Sequence, residues 1–115
     1  MTFSQGDIIK FNFDPTLGHE QAGYRPAIVI SRKLFNEKTG QVIVCPITSK
    51  SRPYPTRVQI GVEAATQGFI ICDHIKTIDV TARIPVLIER VAESVLDKVL
   101  AVVHSEIERD FDSPY

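Results

Sequence analysis

Short apolar runs, each closed by turn residues, recur along most of the chain and leave few folds open to it. Residues 7–13 alternate, with Ile9, Phe11 and Phe13 on one face, which is the period of a half-buried strand. Residues 27–31 form a largely apolar run, typical of a fully buried strand. Further strands are predicted at residues 41–48, 56–60, 68–73 and 75–79. Strands this short and this regularly spaced predict one antiparallel sheet curled into a small barrel.

Three segments depart from this pattern of regular strands. Pro46 has no N–H to donate, so it predicts that the strand at residues 41–48 is irregular or lies at a sheet edge. In the polar segment 32–40, residues 38–40 predict a turn, and residues 34–37 are compatible with a short helical turn. Only the C-terminal segment changes period, because apolar side chains recur there at helical intervals: Val91, Val95, Val99, Val102, Val103 and Ile107. We therefore expect a mainly β protein with a C-terminal helix, in a single domain spanning residues 1–115.

Composition narrows the class of protein. With 115 residues, 43% of them hydrophobic and 23% charged, the chain is long enough for one modest core and too apolar for disorder. No apolar run approaches the ~18 residues of a membrane span, and the N-terminus lacks a secretion signal, so we expect a cytoplasmic protein without a membrane partner. Cys45 and Cys72 lie inside apolar runs and suggest neither a disulfide framework nor a metal site. No metal or cofactor is expected.

The charges are unevenly distributed, although the net charge is only −1. Residues 24–83 carry nine cations and four acids, a net +5, whereas residues 84–115 carry three cations and seven acids, a net −4. A basic middle and an acidic tail allow one local groove to attract phosphates while the whole chain stays near neutral. The alternative is that these charges scatter over unrelated faces.

A polar loop precedes the fully buried strand. Within it, His19, Glu20 and Arg25 bring an imidazole, a carboxylate and a guanidinium within seven residues of one another. Gly23 allows a sharp turn, and Pro26 fixes the backbone where the strand begins. Loops held by a rigid strand often carry chemistry. The alternative is a solvated turn in which Arg25 makes an ordinary ion pair.

This loop and several later motifs resemble the MazF/PemK family of toxin endoribonucleases. The motifs, in chain order, are Gly6-Asp7-Ile8, Asp14-Pro15-Thr16 with Gly18, Glu20-Gln21-Ala22-Gly23-Tyr24-Arg25-Pro26, Pro46-Ile47-Thr48-Ser49, Tyr54-Pro55 and Cys72-Asp73-His74-Ile75-Lys76-Thr77-Ile78-Asp79. The resemblance implies an SH3-like barrel with a C-terminal helix, acting as a homodimer whose substrate groove spans both subunits. It also implies a toxin of a type II toxin–antitoxin system, neutralised by an antitoxin with an acidic, partly disordered C-terminal segment.

The implied activity is metal-independent cleavage of single-stranded RNA, including mRNA, at short sequences. In such a reaction the ribose 2′-hydroxyl attacks the neighbouring phosphate, and the products carry 2′,3′-cyclic phosphate and 5′-hydroxyl ends. The competing hypothesis is a non-enzymatic barrel that binds a protein, as a gyrase-poisoning relative of the same fold is thought to do. Arg25 and Thr48 stand at the catalytic positions of the resemblance and favour the nuclease.

The resemblance assigns the chemistry first to Arg25 and Thr48. A guanidinium matches two phosphate oxygens at once and is always protonated, so it stabilises charge rather than acting as a base. Thr48 ends a strand, where its hydroxyl would reach a phosphoryl oxygen; the alternative is an ordinary strand threonine with a satisfied hydroxyl. Glu20 and His19 are both candidates for the general base, and the choice between them stays open.

Asp73 resembles an acid used by the PemK branch of the family. That branch has an arginine one position before the Cys-Asp pair, where this chain has Ile71, so we expect Asp73 to serve in RNA binding. The other predicted RNA contacts are cations for phosphates, a ring for stacking and amides for base edges: Gln21, Asn36, Lys50, Arg52, Tyr54 and Lys76. A solvated loop is the alternative for each of them. His74 and His104 are assigned to the surface or to packing.

Overall fold

The computed structural model describes residues 2–14, 23–50 and 52–110, which form seven strands and three helices. The strands are β1 (Asp7–Asn12), β2 (Tyr24–Val29), β3 (Gln41–Thr48), β4 (Arg57–Gln59), β5 (Phe69–Ile71), β6 (Lys76–Asp79) and β7 (Val86–Arg90). The helices are α1 (Lys33–Thr39), α2 (Val80–Arg83) and α3 (Glu93–Ile107). No helix within these ranges is long and apolar enough to cross a membrane.

The strands form one antiparallel sheet in the order β4-β5-β3-β2-β1-β7. β3 pairs with β2 along one side, and with β6 and then β5 along the other. The predicted mainly β fold with a C-terminal helix is confirmed, but the hydrogen-bonded strand path is open between β4 and β7 among the described residues. Glu89 of β7 spans part of this opening, because its carboxylate accepts hydrogen bonds from the N–H groups of Ala65 (3.1 Å) and Thr66 (2.7 Å).

Each face of the sheet carries an apolar cluster. α3 covers one face, where Val95, Val99 and Val103 pack against residues that include Ile8, Ile28, Cys45, Ile47, Val58 and Ile70. The cluster on the opposite face comprises Phe3, Ile9, Phe11, Phe13, Ala27, Val29, Val42, Val44 and Ile78. Successive residues of a strand point to opposite faces, so β1, β2 and β3 contribute to both clusters. The predicted burial of Ile9, Phe11 and Phe13 on one face is confirmed.

Pro46 corrects one prediction. It is fully buried in an interior strand, where it pairs with Ala27. On its other side, β6 pairs with β3 as far as Val44, and β5 begins to pair at Ile47. Pro46 therefore falls between two successive partner strands, at a position where no ladder N–H is needed. The helical turn at residues 34–37 is confirmed, as part of α1.

Candidate active site

Arg25 and Thr48 lie on adjacent strands at the same end of the sheet. The β2–β3 ladder ends at the pair Ala27↔Pro46, and the same register continued two residues further along both strands sets Arg25 across from Thr48. Opposed residues of an antiparallel pair share a face, so both belong to the face away from α3. Arg25 is half-buried and Thr48 is buried, with 8% of its surface exposed. The ends of β2 and β3 thus place on one face two residues that the sequence relates only through the family resemblance.

The backbone at Thr48 is held from several directions. Thr48 pairs with Phe69 of β5, and its hydroxyl oxygen accepts a hydrogen bond from the N–H of Lys50 (3.2 Å). Gly68 passes so close that a Cβ built there would lie 2.2 Å from the carbonyl oxygen of Thr48. Because the Thr48 hydroxyl accepts from Lys50, its own proton is available for a second partner.

The face that holds Thr48 continues across β5 and β4. Phe69 pairs with Gln59, and Ile71 pairs with Arg57, so by register Arg57 lies on the same face as Thr48. Two strand spacings separate β3 from β4, or about 10 Å. Phe69 is half-buried and Gln59 is exposed, so this part of the face is open to solvent.

A charged cluster lies where β5 leads towards β6. Nη1 of Arg57 donates hydrogen bonds to Asp73 Oδ1 and to Thr56 Oγ1, the latter at 2.9 Å. The Arg57 guanidinium carbon is 5.7 Å from the centroid of the Tyr54 ring, within the range of a cation–π contact. His74 Nε2 is 3.9 Å from Asp73 Oδ2. His74 Nδ1 is buried, with no hydrogen-bond partner among the described residues.

The Asp73 carboxyl is held in its charged form. Burial acts to raise its pKa, but the hydrogen bond from the Thr56 hydroxyl and the charge of Arg57 outweigh burial, so the pKa lies below its ordinary value of 3.8. At neutral pH the cluster therefore contains a carboxylate and a guanidinium in direct contact.

The remaining predicted RNA contacts lie around the edge of this face. Lys50, Arg52 and Tyr54 lie in the connection between β3 and β4, and all three are exposed. Lys76 pairs with Val44 and, by register, belongs to the same face as Thr48, about 13 Å away along β3. These residues border the face from two sides.

Three predicted residues lie outside the described part of the chain. His19, Glu20 and Gln21 fall in the segment between residues 14 and 23. The choice between His19 and Glu20 as general base therefore remains a prediction.

Asn36 is placed differently from the prediction. Only 5% of its surface is exposed, and its side-chain oxygen accepts a hydrogen bond from the Ser31 hydroxyl (2.5 Å). Its side-chain nitrogen donates to the carbonyl oxygens of Phe3 (2.9 Å) and Ser31 (3.3 Å). A buried amide with its oxygen and nitrogen both hydrogen-bonded inside the protein holds α1 to the sheet and has no surface to offer RNA.

The two cysteines are buried free thiols, as the sequence indicates. Burial raises the pKa of Cys72 to about 12 and moves the pKa of Cys45 upward as well. Both thiols therefore stay protonated at neutral pH. Among the residues that the structure describes, no group of three or more His, Cys, Asp or Glu side chains is placed to hold a metal ion.

A cavity of about 550 Å³ lies apart from these residues. It opens on the α3 side of the sheet, between the loop after β4, the end of β7 and the start of α3, and Ile60, Glu89 and Val95 are among the residues that line it. None of the predicted site residues that the structure describes lines this cavity, so the cavity is separate from the candidate site.

Comparison with known proteins identifies the family. A family model described as "PemK-like, MazF-like toxin of type II toxin-antitoxin system" matches residues 4–107. The chain belongs to this family. The endoribonuclease toxin MazF of Escherichia coli strain K12 is 42% identical over 78 residues, which cover 68% of this chain and 69% of the relative. The endoribonuclease PemK of Escherichia coli is 38% identical over 100 residues, which cover 84% and 75%.

Solved structures of the family agree in fold. A crystal structure of MazF from Deinococcus radiodurans superposes with a TM-score of 0.88 at 30% identity, covering 95% of this chain and 99% of that one. A crystal structure of MazE–MazF from the same organism gives a TM-score of 0.83 at 30% identity, covering 96% and 99%.

Two residues of the charged cluster were missed from sequence. Arg57 was counted only as one of the cations of the basic middle, and His74 was assigned to the surface or to packing. The available signal was the alternation at residues 56–60, which predicts a strand with Arg57 and Gln59 on one face. What could not be seen is that β4 pairs with β5 and so brings Arg57 to Asp73.

Proposed function

We propose that this chain is a toxin that cleaves single-stranded RNA at short sequences without a metal ion. The observation that supports this most strongly is the position of Arg25 and Thr48 at the same end of two paired strands and on the same face, in a member of the MazF/PemK family. The names of its relatives, endoribonuclease MazF and endoribonuclease PemK, point to the same activity. Cleavage of mRNA in this way would stop translation and growth.

The proposed reaction is an internal displacement at phosphorus. The ribose 2′-oxygen bonds to the adjacent phosphorus as its proton passes to a base, for which Glu20 and His19 remain the candidates. The bond from phosphorus to the 5′-oxygen breaks, and that oxygen takes up a proton. The products are a 2′,3′-cyclic phosphate and a free 5′-hydroxyl. DNA lacks the 2′-hydroxyl, so this reaction selects RNA by chemistry.

Arg25 and Thr48 would stabilise the charge that develops on the phosphoryl oxygens. The Arg25 guanidinium offers two parallel N–H groups to two oxygens, and the Thr48 hydroxyl donates to one of them. Donors fixed by strands need little reorganisation during the reaction, which is what makes such stabilisation effective. Arg25 would also donate a proton or a hydrogen bond to the leaving 5′-oxygen.

The surrounding cations would hold the RNA chain. Lys50, Arg52 and Lys76 border the open face and are suited to phosphates, while the exposed Tyr54 ring offers a surface for base stacking. If three or four phosphate contacts account for the binding, the affinity for RNA falls steeply as the salt concentration rises. Binding in an apolar pocket would not show this salt dependence.

The direct test is incubation of the purified protein with a long transcript in excess EDTA. We expect cleavage at a small set of sites, with new ends that polynucleotide kinase labels without prior dephosphorylation, because they carry 5′-hydroxyl groups. Arg25→Ala should abolish cleavage, whereas Arg109→Ala, which removes an exposed arginine two residues after the end of α3, should leave it unchanged. Intact RNA from a folded wild-type sample would overturn the proposal, and growth arrest without RNA cleavage would favour the protein-binding alternative.

We further propose that the protein acts as a homodimer and is neutralised by an antitoxin. β7 ends the strand order of the described sheet, and its Val86, Leu87 and Ile88 side chains are between 43% and 52% exposed, which suits burial against a second copy. The MazE–MazF crystal of the related protein supports an antitoxin partner. An acidic peptide segment would compete with RNA for the same cations. Sedimentation of the purified protein as a monomer at micromolar concentration would contradict the dimer.

A further inference from the structure

Asp73 is an acid on a face otherwise supplied with cations. A carboxylate repels RNA phosphates, so a role in holding the RNA backbone does not explain it. A contribution to folding stability does not explain Asp73 well either, because an ion pair whose carboxylate side chain is 40% exposed is worth at most about 1 kcal/mol. What the Arg57–Asp73 pair does provide is a carboxylate acceptor of fixed direction.

The surroundings of Asp73 combine an acceptor with a stacking surface. The Asp73 carboxylate accepts from Arg57, from the Thr56 hydroxyl and from its own backbone N–H, whereas His74 Nε2 lies 3.9 Å from Oδ2, beyond hydrogen-bond distance. A carboxylate has about four acceptor positions, so one is left for a ligand. The Tyr54 ring is 64% exposed and has the Arg57 guanidinium near it. The ring and the carboxylate both lie against the Arg57 guanidinium, and proteins bind an unstacked base by stacking on its face and hydrogen-bonding to its edge.

We propose that Tyr54, Arg57 and Asp73 form a base-recognition site, in which Asp73 accepts a hydrogen bond from the exocyclic amino group of one base while that base stacks on Tyr54. This inference rests on the proposed RNA substrate. Arg57 is a positioning residue, since it fixes the carboxylate through Nη1. β4 lies about 10 Å from β3, so the base recognised flanks the reacting phosphate rather than belonging to the reaction itself.

The site discriminates by the chemistry of the base edge. Adenine, cytosine and guanine each carry an exocyclic amino group that donates to a carboxylate. Uracil has none, and its only donor on the Watson–Crick edge stands between two carbonyl oxygens that a carboxylate repels. We therefore expect exclusion of uracil at one position of the RNA site.

The test uses a randomised pool of 2′-fluoro RNA, which lacks the attacking hydroxyl and so reports binding without cleavage. The bound fraction is sequenced for the wild type, Asp73→Asn and Arg57→Met. We expect the wild type to select against uracil at one position roughly ten- to a hundred-fold. Both variants should lose that selection while preferences at other positions persist. Asp97→Asn, which removes a carboxylate from an exposed position of α3, should keep the wild-type pattern.

The possible outcomes separate this inference from the proposed function. Uracil selection that survives in Asp73→Asn, or a wild type that accepts all four bases at every position, would overturn the recognition site even if RNA is cleaved. Uracil selection lost in Asp73→Asn would support the site even if the protein cleaves nothing. Thermal unfolding shows whether both variants are folded. If Arg57→Met does not fold, the result for Asp73→Asn is the test.

Discussion

Replacement of Gly68 by alanine tests whether the turn before β5 fixes the position of Thr48. A Cβ at Gly68 would lie 2.2 Å from the Thr48 carbonyl oxygen and 2.8 Å from its carbonyl carbon. Ordinary contact begins at 3.4 Å, so the two backbones must move apart by about 1 Å. The φ of +122° at Gly68 adds about 1–3 kcal/mol of strain for a residue with a side chain. With the damaged pairing between Thr48 and Phe69, we expect a loss of about 3–4 kcal/mol in the free energy of unfolding.

The same displacement should lower the cleavage rate. Misplacement of a reacting group by about 1 Å costs on the order of a hundred-fold in rate. The assay combines urea unfolding with the initial rate on a fluorogenic RNA, measured where the variant is folded. Gly61→Ala is the matched control, because a Cβ there meets nothing within 4 Å, and we expect its stability and rate to equal those of the wild type. A Gly68→Ala protein with wild-type stability and rate would refute the reasoning.

Three further predictions concern buried or charged polar groups. Asn36→Ala should lose about 1–3 kcal/mol in the free energy of unfolding by urea, because buried hydrogen-bonding groups lose their partner, and it should keep its affinity for RNA. Reduced affinity in a folded sample would show instead that Asn36 contacts RNA. Asp73→Asn should cost about 1 kcal/mol or less at pH 7. Because the folded-state pKa of Asp73 is lowered, its stabilising effect is present above pH 3.8 and disappears as the pH falls below that value. The difference in unfolding free energy between the wild type and Asp73→Asn should therefore shrink on acidification, and a difference that grows would contradict the ion pair. Glu89→Gln should cost about 1 kcal/mol and speed amide hydrogen exchange at Ala65 and Thr66, and unchanged exchange there would count against the bridge from β7.

The elements predicted correctly are those whose signal is local. The alternation of Ile9, Phe11 and Phe13 specifies one face of β1 without knowledge of the partner strand. The valines of α3 recur at helical spacing, and Val95, Val99 and Val103 are the residues that become buried. In both cases the period of the apolar side chains is enough.

The features that sequence did not predict depend on non-local pairing. β7 is an exposed strand that exists because β1 offers it an edge, and residues 86–90 alone show no clear alternation. Pro46 is tolerated inside the sheet because two strands meet the same side of β3 on either side of it. Asn36 stands in a polar segment, where a buried amide and a solvated one look alike. The contact of Arg57 with Asp73 needs the β4–β5 register.

A double-mutant cycle on the cleavage rate measures most directly whether Arg25 and Thr48 act together. The rates of the wild type, Arg25→Ala, Thr48→Val and the double variant are compared on one RNA in excess EDTA. If the two side chains stabilise the same phosphoryl charge, each single change costs roughly a hundred-fold or more, and the double variant is little slower than the worse single variant. A shared site would be contradicted if the rate losses of the two single variants multiply in the double variant, or if either single variant keeps full activity.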